Sequence, residues 1–497
     1  MNKRWTSFAA TALCLLLAAC GGGGGGTTSA STSPAMSAQA ATPAVSAPTV
    51  SLALTPASMT TAQSSQLTWS STNATSCTAS GAWSGSQATS GALTVSQSTA
   101  GSYIYTLSCT GAGGTANASG TLTVSTALNN SAALVVDSGP DGAGGAINTP
   151  YVSVTVCRPG TSICQTIDHV LVDTGSYGLR LLAPLSSALS LPTVKTPSGA
   201  DAGECGQFVS GYTWGAVRQA DVKMADETAS AISIQVIGDT ASSYANVPSS
   251  CSNVGSNLGT LSALGANGVL GIGLFKQDCG ASCASRAQSG TYYACSAGSC
   301  TASAMPLASQ VSNPVASFAV NNNGVIVVLP AVGTDGATSL SGSLIFGVDT
   351  QANNAIGTAT VYRANSVGDF STTYKGRVYS ASFIDSGSNG YFFNDSSLRQ
   401  CGGSSGFYCP SSPQSLSAVN SSYDGSSSGT VTFSVVNIDN LSDSITAAQV
   451  GGVQGSRSSP SSSGAFDWGL PFFYGRRVYV VIESGSTNSG AGPFWAY

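Results

Sequence analysis

The chain has 497 residues, enough for two or three domains, with a formal net charge of −5 and a pI near 4.7. Charged residues are only 7% of it, and nothing is basic enough to neutralise a phosphate backbone, which excludes nucleic acid as a partner. The hydrophobic share of 42% can still fill a core, so the Gly- and Ser-rich composition is not that of a disordered chain.

The N-terminus reads as a targeting segment. Lys3 and Arg4 form its charged end, and Phe8 to Ala18 an apolar stretch too short to span a bilayer. It closes on Leu17-Ala18-Ala19-Cys20, which resembles a bacterial lipobox. That resemblance implies cleavage after residue 19 and a lipid on Cys20. Gly21 at the next position points to the outer membrane of a bacterial cell envelope. Residues 20–48 are, after Cys20, almost all Gly, Ser, Thr, Ala and Pro, the composition of a flexible tether.

Residues 49–126 alternate apolar and polar side chains between Ser/Gly turns: Val50, Leu52 and Leu54; Leu67 and Trp69; Tyr103, Tyr105, Leu107 and Cys109; Leu122 and Val124. This period of two predicts antiparallel strands with one buried face. With Trp69 near Cys77 and Cys109, the segment resembles an immunoglobulin-like sandwich. No pocket chemistry is visible in it, and a spacer role is expected.

Residues 132–497 form the large domain, again a series of short apolar runs such as Val152–Val156, Val170–Val172 and Val325–Leu329, with no sustained helical period. Apart from Cys14 and Cys20, the chain has 12 cysteines, an even number that predicts six disulfides in an oxidising compartment. Proximity pairs Cys77 with Cys109, Cys157 with Cys164, Cys205 with Cys251, and Cys401 with Cys409. Cys279, Cys283, Cys295 and Cys300 allow three pairings, and their spacing also permits a four-thiolate zinc site.

The acid-base repertoire is narrow. His169 is the only histidine, so any Ser-His or Cys-His catalysis would have to run through it. Three glutamates stand against 18 aspartates, which makes Asp the expected acid-base residue. One Asp pattern occurs twice: Val170-Leu171-Val172-Asp173-Thr174-Gly175-Ser176 and Ser382-Phe383-Ile384-Asp385-Ser386-Gly387-Ser388. Each copy is followed by a second shared pattern, Gly271-Ile272-Gly273 98 residues after Asp173 and Gly469-Leu470-Pro471 84 residues after Asp385. Matched motifs in the same order indicate an internal duplication. Two aspartates within hydrogen-bond reach cannot both ionise cheaply, so one keeps its proton. The charged member can take a proton from water while the other polarises a carbonyl. Gly175 and Gly387 allow close backbone approach. Ser176 and Ser388 can donate to the outer carboxylate oxygens, and Thr174 and Ser386 complete the turns.

On these motifs the domain resembles the pepsin-type aspartic peptidases. Ala266 to Gly273, Gly342 to Asp349 and Asp467 to Phe473 add to the likeness. The resemblance implies an all-β, two-lobed fold with one Asp per lobe, and an endopeptidase that cleaves peptide or protein substrates as a monomer. The implied catalytic pair is Asp173 and Asp385, with neither metal nor organic cofactor. It also places a substrate-covering flap at Phe208–Gly215, where Tyr212 and Trp214 are candidate substrate contacts. The family's flap tyrosine falls on Phe208 and its supporting tryptophan on Arg180, so both members of that pair are changed. A catalytically weak binding protein on the same fold is the alternative. Asp137-Ser138-Gly139 repeats part of the motif too close to Asp173 to serve a second lobe and reads as a lead-in turn. His169 precedes a buried strand and reads as structural.

Overall fold

The structure is a computed structural model describing residues 46–61, 64–126, 129–145, 147–402, 406–454 and 464–497. The targeting segment, Cys20 and most of the tether lie outside the described residues. Two compact units divide at Ala127 and Leu128. Both are all-β, and the longest α-helix among the described residues, Ala281–Ser285, has 5 residues.

The smaller unit pairs a three-stranded sheet (Thr49–Thr55, Ser64–Thr72, Ser90–Ser96) with a five-stranded one built around Gly101–Gly111 and Gly114–Ser125. The alternation works as expected: Leu67, Trp69, Tyr105, Leu107, Leu122 and Val124 are buried between the sheets, and Trp69 meets Trp83 edge to face at 5.1 Å. Cys77 and Cys109 are direct cross-strand partners in one sheet, 4.1 Å apart at Cα, so their disulfide does not bridge the two sheets.

The larger unit is two-lobed. One long sheet carries the first lobe through Tyr177–Leu182, Gly268–Ile272, Cys164–Asp173 and Pro150–Cys157, then continues through Ser131–Val136, Leu340–Phe346, Gly324–Val328 and Arg477–Val481. A second sheet builds the other lobe from Ser428–Val435, Gln414–Ser421, Phe370–Tyr374, Arg377–Ile384, Asp467–Trp468 and Tyr391–Phe392. The central strands are buried on both faces, which is why Gly268–Ile272 is a continuous apolar run without alternation. The first lobe fills its core with Val, Leu and Ile. The second stacks aromatics, Phe393 on Phe466 at 4.8 Å and Phe466 on Trp468 at 4.4 Å.

All six disulfides form. The quartet resolves as Cys279–Cys283 and Cys295–Cys300, so its sulfurs are not available as a four-thiolate zinc site.

Candidate active site

The two Asp motifs occupy matching places in matching topologies. Gly268–Ile272 inserts between Cys164–Asp173, to which it is parallel, and Tyr177–Leu182, to which it is antiparallel; Asp173 is the register partner of Gly271. In the second lobe Asp467–Trp468 inserts between Arg377–Ile384, parallel, and Tyr391–Phe392, antiparallel. Each Asp therefore sits where a strand leaves its sheet and turns back beside the inserted strand. This is the duplication seen in the sequence, expressed as backbone.

The turns bring the carboxylates together. A Cβ on Gly175 would lie 2.6 Å from Asp385 Cγ, and one on Gly387 would lie 2.7 Å from Asp173 Oδ1, so only glycine lets each loop approach the opposite carboxylate. Gly175 N donates to Asp173 Oδ1 and Gly387 N to Asp385 Oδ1, both at 2.8 Å. Ser176 Oγ donates to Asp173 Oδ2 at 2.5 Å, and Ser388 Oγ lies 2.9 Å from Asp385 Oδ2. Behind the pair, Thr174 Oγ1 donates to Ile384 O at 2.9 Å and Ser386 Oγ to Val172 O at 2.7 Å. Both hydroxyls are buried, and each also accepts the other residue's backbone N–H.

Burial, and then the charge of Asp385, push the Asp173 carboxyl up to about 8, so it holds a proton across the acid and neutral range. Tyr177, which the sequence reading passed over, lies in the same field. Burial and then Asp173, Asp369, Asp385 and Glu483 push its phenol up, and its ring meets Phe275 edge to face at 5.2 Å. These acids come from four distant stretches of chain, so no local pattern marks the grouping.

The hairpin expected to be the flap forms from Asp201–Phe208 and Gly211–Met224 around the tip Val209-Ser210. Phe208 pairs with Gly211, Gln207 with Tyr212 and Cys205 with Trp214. Strand alternation therefore puts Phe208 on the face shared with Glu204, and Tyr212 and Trp214 on the other. Here the expectation is corrected. Tyr212 and Trp214 are both 6% exposed in a cluster with Tyr244, Tyr293 and the Cys205–Cys251 bond, and Trp214 Nε1 donates to Tyr244 O at 3.0 Å. They are core residues and are not presented to a peptide; Phe208 alone of the three keeps the candidate role.

Phe208 and Arg180 do meet, with Arg180 Cζ 5.8 Å from the ring centroid. Arg180 is buried. Its Nη2 donates to Glu204 Oε1 at 2.5 Å and to Asp278 Oδ2 at 3.1 Å, and its Nη1 to Tyr177 O at 2.7 Å. Tyr292 Oη donates to Asp278 Oδ1 at 2.6 Å. Burial, then Glu204, hold the Asp278 carboxyl well above the usual carboxylate range. The cluster ties the flap strand through Glu204 to the strand that follows the first Asp motif.

The sequence marks Asp467 only as the first residue of the Asp467 to Phe473 stretch that adds to the pepsin likeness. It is 5% exposed, and its Oδ2 lies 2.7 Å from Ser388 Oγ. The signal was present: its place in the duplication is held in the first lobe by Val269, an apolar residue. Asp137 and His169 stand apart from this site. His169 Nδ1 is 2.8 Å from Asp168 Oδ2 and its Nε2 3.3 Å from Asp137 Oδ2. Burial opposes protonation of the imidazole, and the two carboxylates overcome it and raise its pKa. Among the described residues the grouping Cys401, Cys409 and Asp439 could offer metal ligands by position, but both sulfurs are in a disulfide.

Residues 125–497 match the family described as "Protein of unknown function (DUF3443)", and the chain belongs to that family. No curated protein matches the chain.

Proposed function

We propose that this DUF3443 protein is an aspartic endopeptidase of pepsin type, with Asp173 and Asp385 as its catalytic pair. The observation that carries the reading is the reciprocal approach of each motif's glycine to the other motif's carboxylate, with the two outer oxygens held by Ser176 and Ser388. Two carboxylates forced together in this way share one proton. A water held between them attacks the scissile carbonyl carbon. The ionised carboxylate takes the water's proton, and Asp173 gives its own to the carbonyl oxygen, forming a gem-diol. Collapse returns a proton from the gem-diol to Asp173, while the other carboxyl protonates the leaving nitrogen as the C–N bond breaks. Phe208 at the flap is the candidate apolar contact for an extended substrate.

The test is cleavage of an unfolded protein between pH 3 and 6, with and without pepstatin, for the wild type, Asp173→Asn and Asp385→Asn. Pepstatin-sensitive cleavage lost in both variants supports the reading. Cleavage retained in either variant overturns it.

A second reading, a peptide-binding protein on the same scaffold, is favoured by the braced flap. Its strand Asp201–Phe208 pairs with Tyr292–Ser296 on its other edge, and Gly211–Met224 pairs with Ser256–Asn257 close to the tip. Saturable peptide binding without turnover would select it.

The proposal extends to location. Six disulfides support an exported chain, and a lipid on Cys20 would hold it to the bacterial envelope, at the outer membrane. No helix among the described residues is long and apolar enough to cross a membrane. Mass analysis of the mature N-terminus tests the anchor.

A further inference from the structure

A cavity of about 250 Å³ opens in the second lobe. Tyr391, Ser415, Thr432, Ser434, Gln449 and Arg476 supply its polar wall, and Ala331 and Val332 close one side. Neither Asp173, Asp385 nor Phe208 lines it, and no carboxylate does.

Arg476 is the one charged residue of that wall. Its Nη1 donates to Phe472 O at 2.6 Å and its Nη2 to Thr432 O at 3.1 Å, and its Cζ lies 4.7 Å from the Phe472 ring centroid. Carbonyl groups and a ring face hold the guanidinium in place without neutralising it, and they leave part of its N–H fork free. The ion pairs among the described residues engage Arg180, Lys195, Arg218, Arg363 and Lys375, and Arg476 is in none of them. Next to it, Tyr391 Oη donates to Gln449 Oε1 at 3.0 Å. That bond occupies the acceptor end of the Gln449 amide and leaves its NH2 group as a donor. A fixed half-buried cation beside a free amide donor, with no anion in the wall, is a donor set for an oxyanion.

The rest of the wall is hydroxyl. Ser415 and Ser434 are register partners, and Thr432 lies two residues from Ser434 on the same face. Their hydroxyls have no partner among the described residues. Each can donate and accept, as the hydroxyls of a sugar also do.

We infer that this cavity is a binding site for a sugar acid, a hexuronate whose carboxylate sits on Arg476 and the Gln449 amide and whose hydroxyls meet Ser415, Thr432 and Ser434. The inference does not depend on the peptidase reading. A planar carboxylate matches the guanidinium fork. A phosphate carries more charge and is met in proteins by backbone N–H nests or helix N-termini, neither of which this strand-built wall supplies. The size agrees: the cavity falls below the roughly 300–1,000 Å³ of pockets for drug-sized ligands, which suits a single ring.

Titration calorimetry of the full chain with D-galacturonate and D-glucuronate tests the site, with neutral D-galactose, acetate and inorganic phosphate as comparisons. At least one hexuronate should bind saturably, and about tenfold or more tighter than each comparison compound. Gln449→Glu keeps the side chain's size and sets an anion beside Arg476; it should weaken hexuronate binding at least about tenfold, as should Arg476→Gln. Ser415→Ala combined with Ser434→Ala should weaken the hexuronate several-fold and leave acetate unchanged. No saturable hexuronate binding up to about 10 mM overturns the inference. So does galactose or phosphate binding as tightly as the hexuronate, or hexuronate affinity that survives Gln449→Glu. The same head group can arrive as a free sugar acid or at the end of an acidic polysaccharide. Comparison of the preferred hexuronate with its short oligomer separates these sources: tighter oligomer binding assigns the polysaccharide end, and equal or weaker binding the free sugar acid, and either upholds the site.

Discussion

Thr174 and Ser386 exchange hydrogen bonds across the lobes: Ser386 N donates to Thr174 Oγ1 at 2.9 Å, and Thr174 N to Ser386 Oγ at 3.1 Å. Each hydroxyl then donates to the carbonyl just before the other lobe's aspartate. Both residues are almost wholly buried, so water cannot replace a lost partner. The distance between the two carboxylates is thus set by two side chains that touch neither of them.

Thr174→Val keeps the shape and removes the hydroxyl, leaving Ile384 O and Ser386 N without that partner. We expect a stability loss of roughly 2–4 kcal/mol by chemical denaturation. Any peptidase kcat should fall about tenfold or more, since small displacements of catalytic groups are costly. Thr174→Ser, which keeps the hydroxyl, should lose only about 1 kcal/mol and most of its rate should remain. Equal effects of the two variants would mean that packing, and not the exchanged bonds, aligns the pair.

Asp173→Asn carries a pH signature that needs no substrate. The folded chain holds this proton up to about pH 8, whereas an unfolded Asp releases it near 4. Below pH 4 both states are protonated and the residue contributes no pH dependence. Between about 4 and 8 only the folded state keeps the proton, so rising pH favours unfolding. The variant should therefore gain stability over wild type as pH rises, by roughly 1–3 kcal/mol more at pH 7 than at pH 4. Any peptidase activity should drop at least ~10³-fold at every pH. Thermal unfolding at the two pH values checks the first expectation; a constant difference would show that the Asp173 carboxyl is ionised at neutral pH.

What could be read in the sequence followed from local rules. The doubled Asp motifs were visible because each needs a fixed order of strand, Asp, hydroxyl and glycine within a few residues. Four disulfides were legible by nearness along the chain, and the large domain's strands by their apolar runs. The faces of the flap were not. Tyr212 and Trp214 read as substrate contacts because they neighbour Phe208 in sequence. The two-residue tip at Val209-Ser210 instead fixes a register that puts them on the opposite face. Asp467 was hidden inside an apolar stretch, and only its partner Ser388, 79 residues away, gives it meaning. Asp278 and Tyr292 likewise reach Arg180 through long-range pairing that no short pattern encodes.

Arg180 is expected to resist replacement. Arg180→Trp, the residue its place in a pepsin-type site would suggest, leaves Glu204 and Asp278 buried with no cation between them. Arg180→Met should do the same, at a cost of about 3–5 kcal/mol near neutral pH. Adding Glu204→Gln and Asp278→Asn should recover most of that loss, because the buried carboxyls left without Arg180 go with it. The cost should also shrink as pH falls below about 4, where the Asp278 carboxyl, raised in the folded chain, is protonated in the unfolded chain as well. Urea unfolding of the single and triple variants at two pH values is the measurement. A triple variant no better than the single would show that packing under Phe208 is what Arg180 supplies.

The Cys205–Cys251 bond anchors the flap at its base. It joins the strand Asp201–Phe208 to the short helix Ser249–Ser252 across 46 residues, beside Tyr212 and Trp214. Closing a loop of that length removes unfolded-state freedom worth about 4 kcal/mol on the chain-entropy view. Replacing both cysteines with serine should cost that order of stability. It should also loosen the strand that carries Glu204 and Phe208. If the flap works as a fixed canopy, the loosened hairpin binds substrate less well, and KM should rise several-fold while kcat changes little. If the hairpin must move for turnover, release from its anchor should raise kcat instead. Steady-state kinetics of the double serine variant separate the two, read at a temperature well below its unfolding midpoint. The fixed-canopy outcome is the one expected, because strand pairing on both edges of the hairpin persists after the disulfide is gone. Unchanged kinetics alongside the full stability loss would detach the flap's base from catalysis altogether.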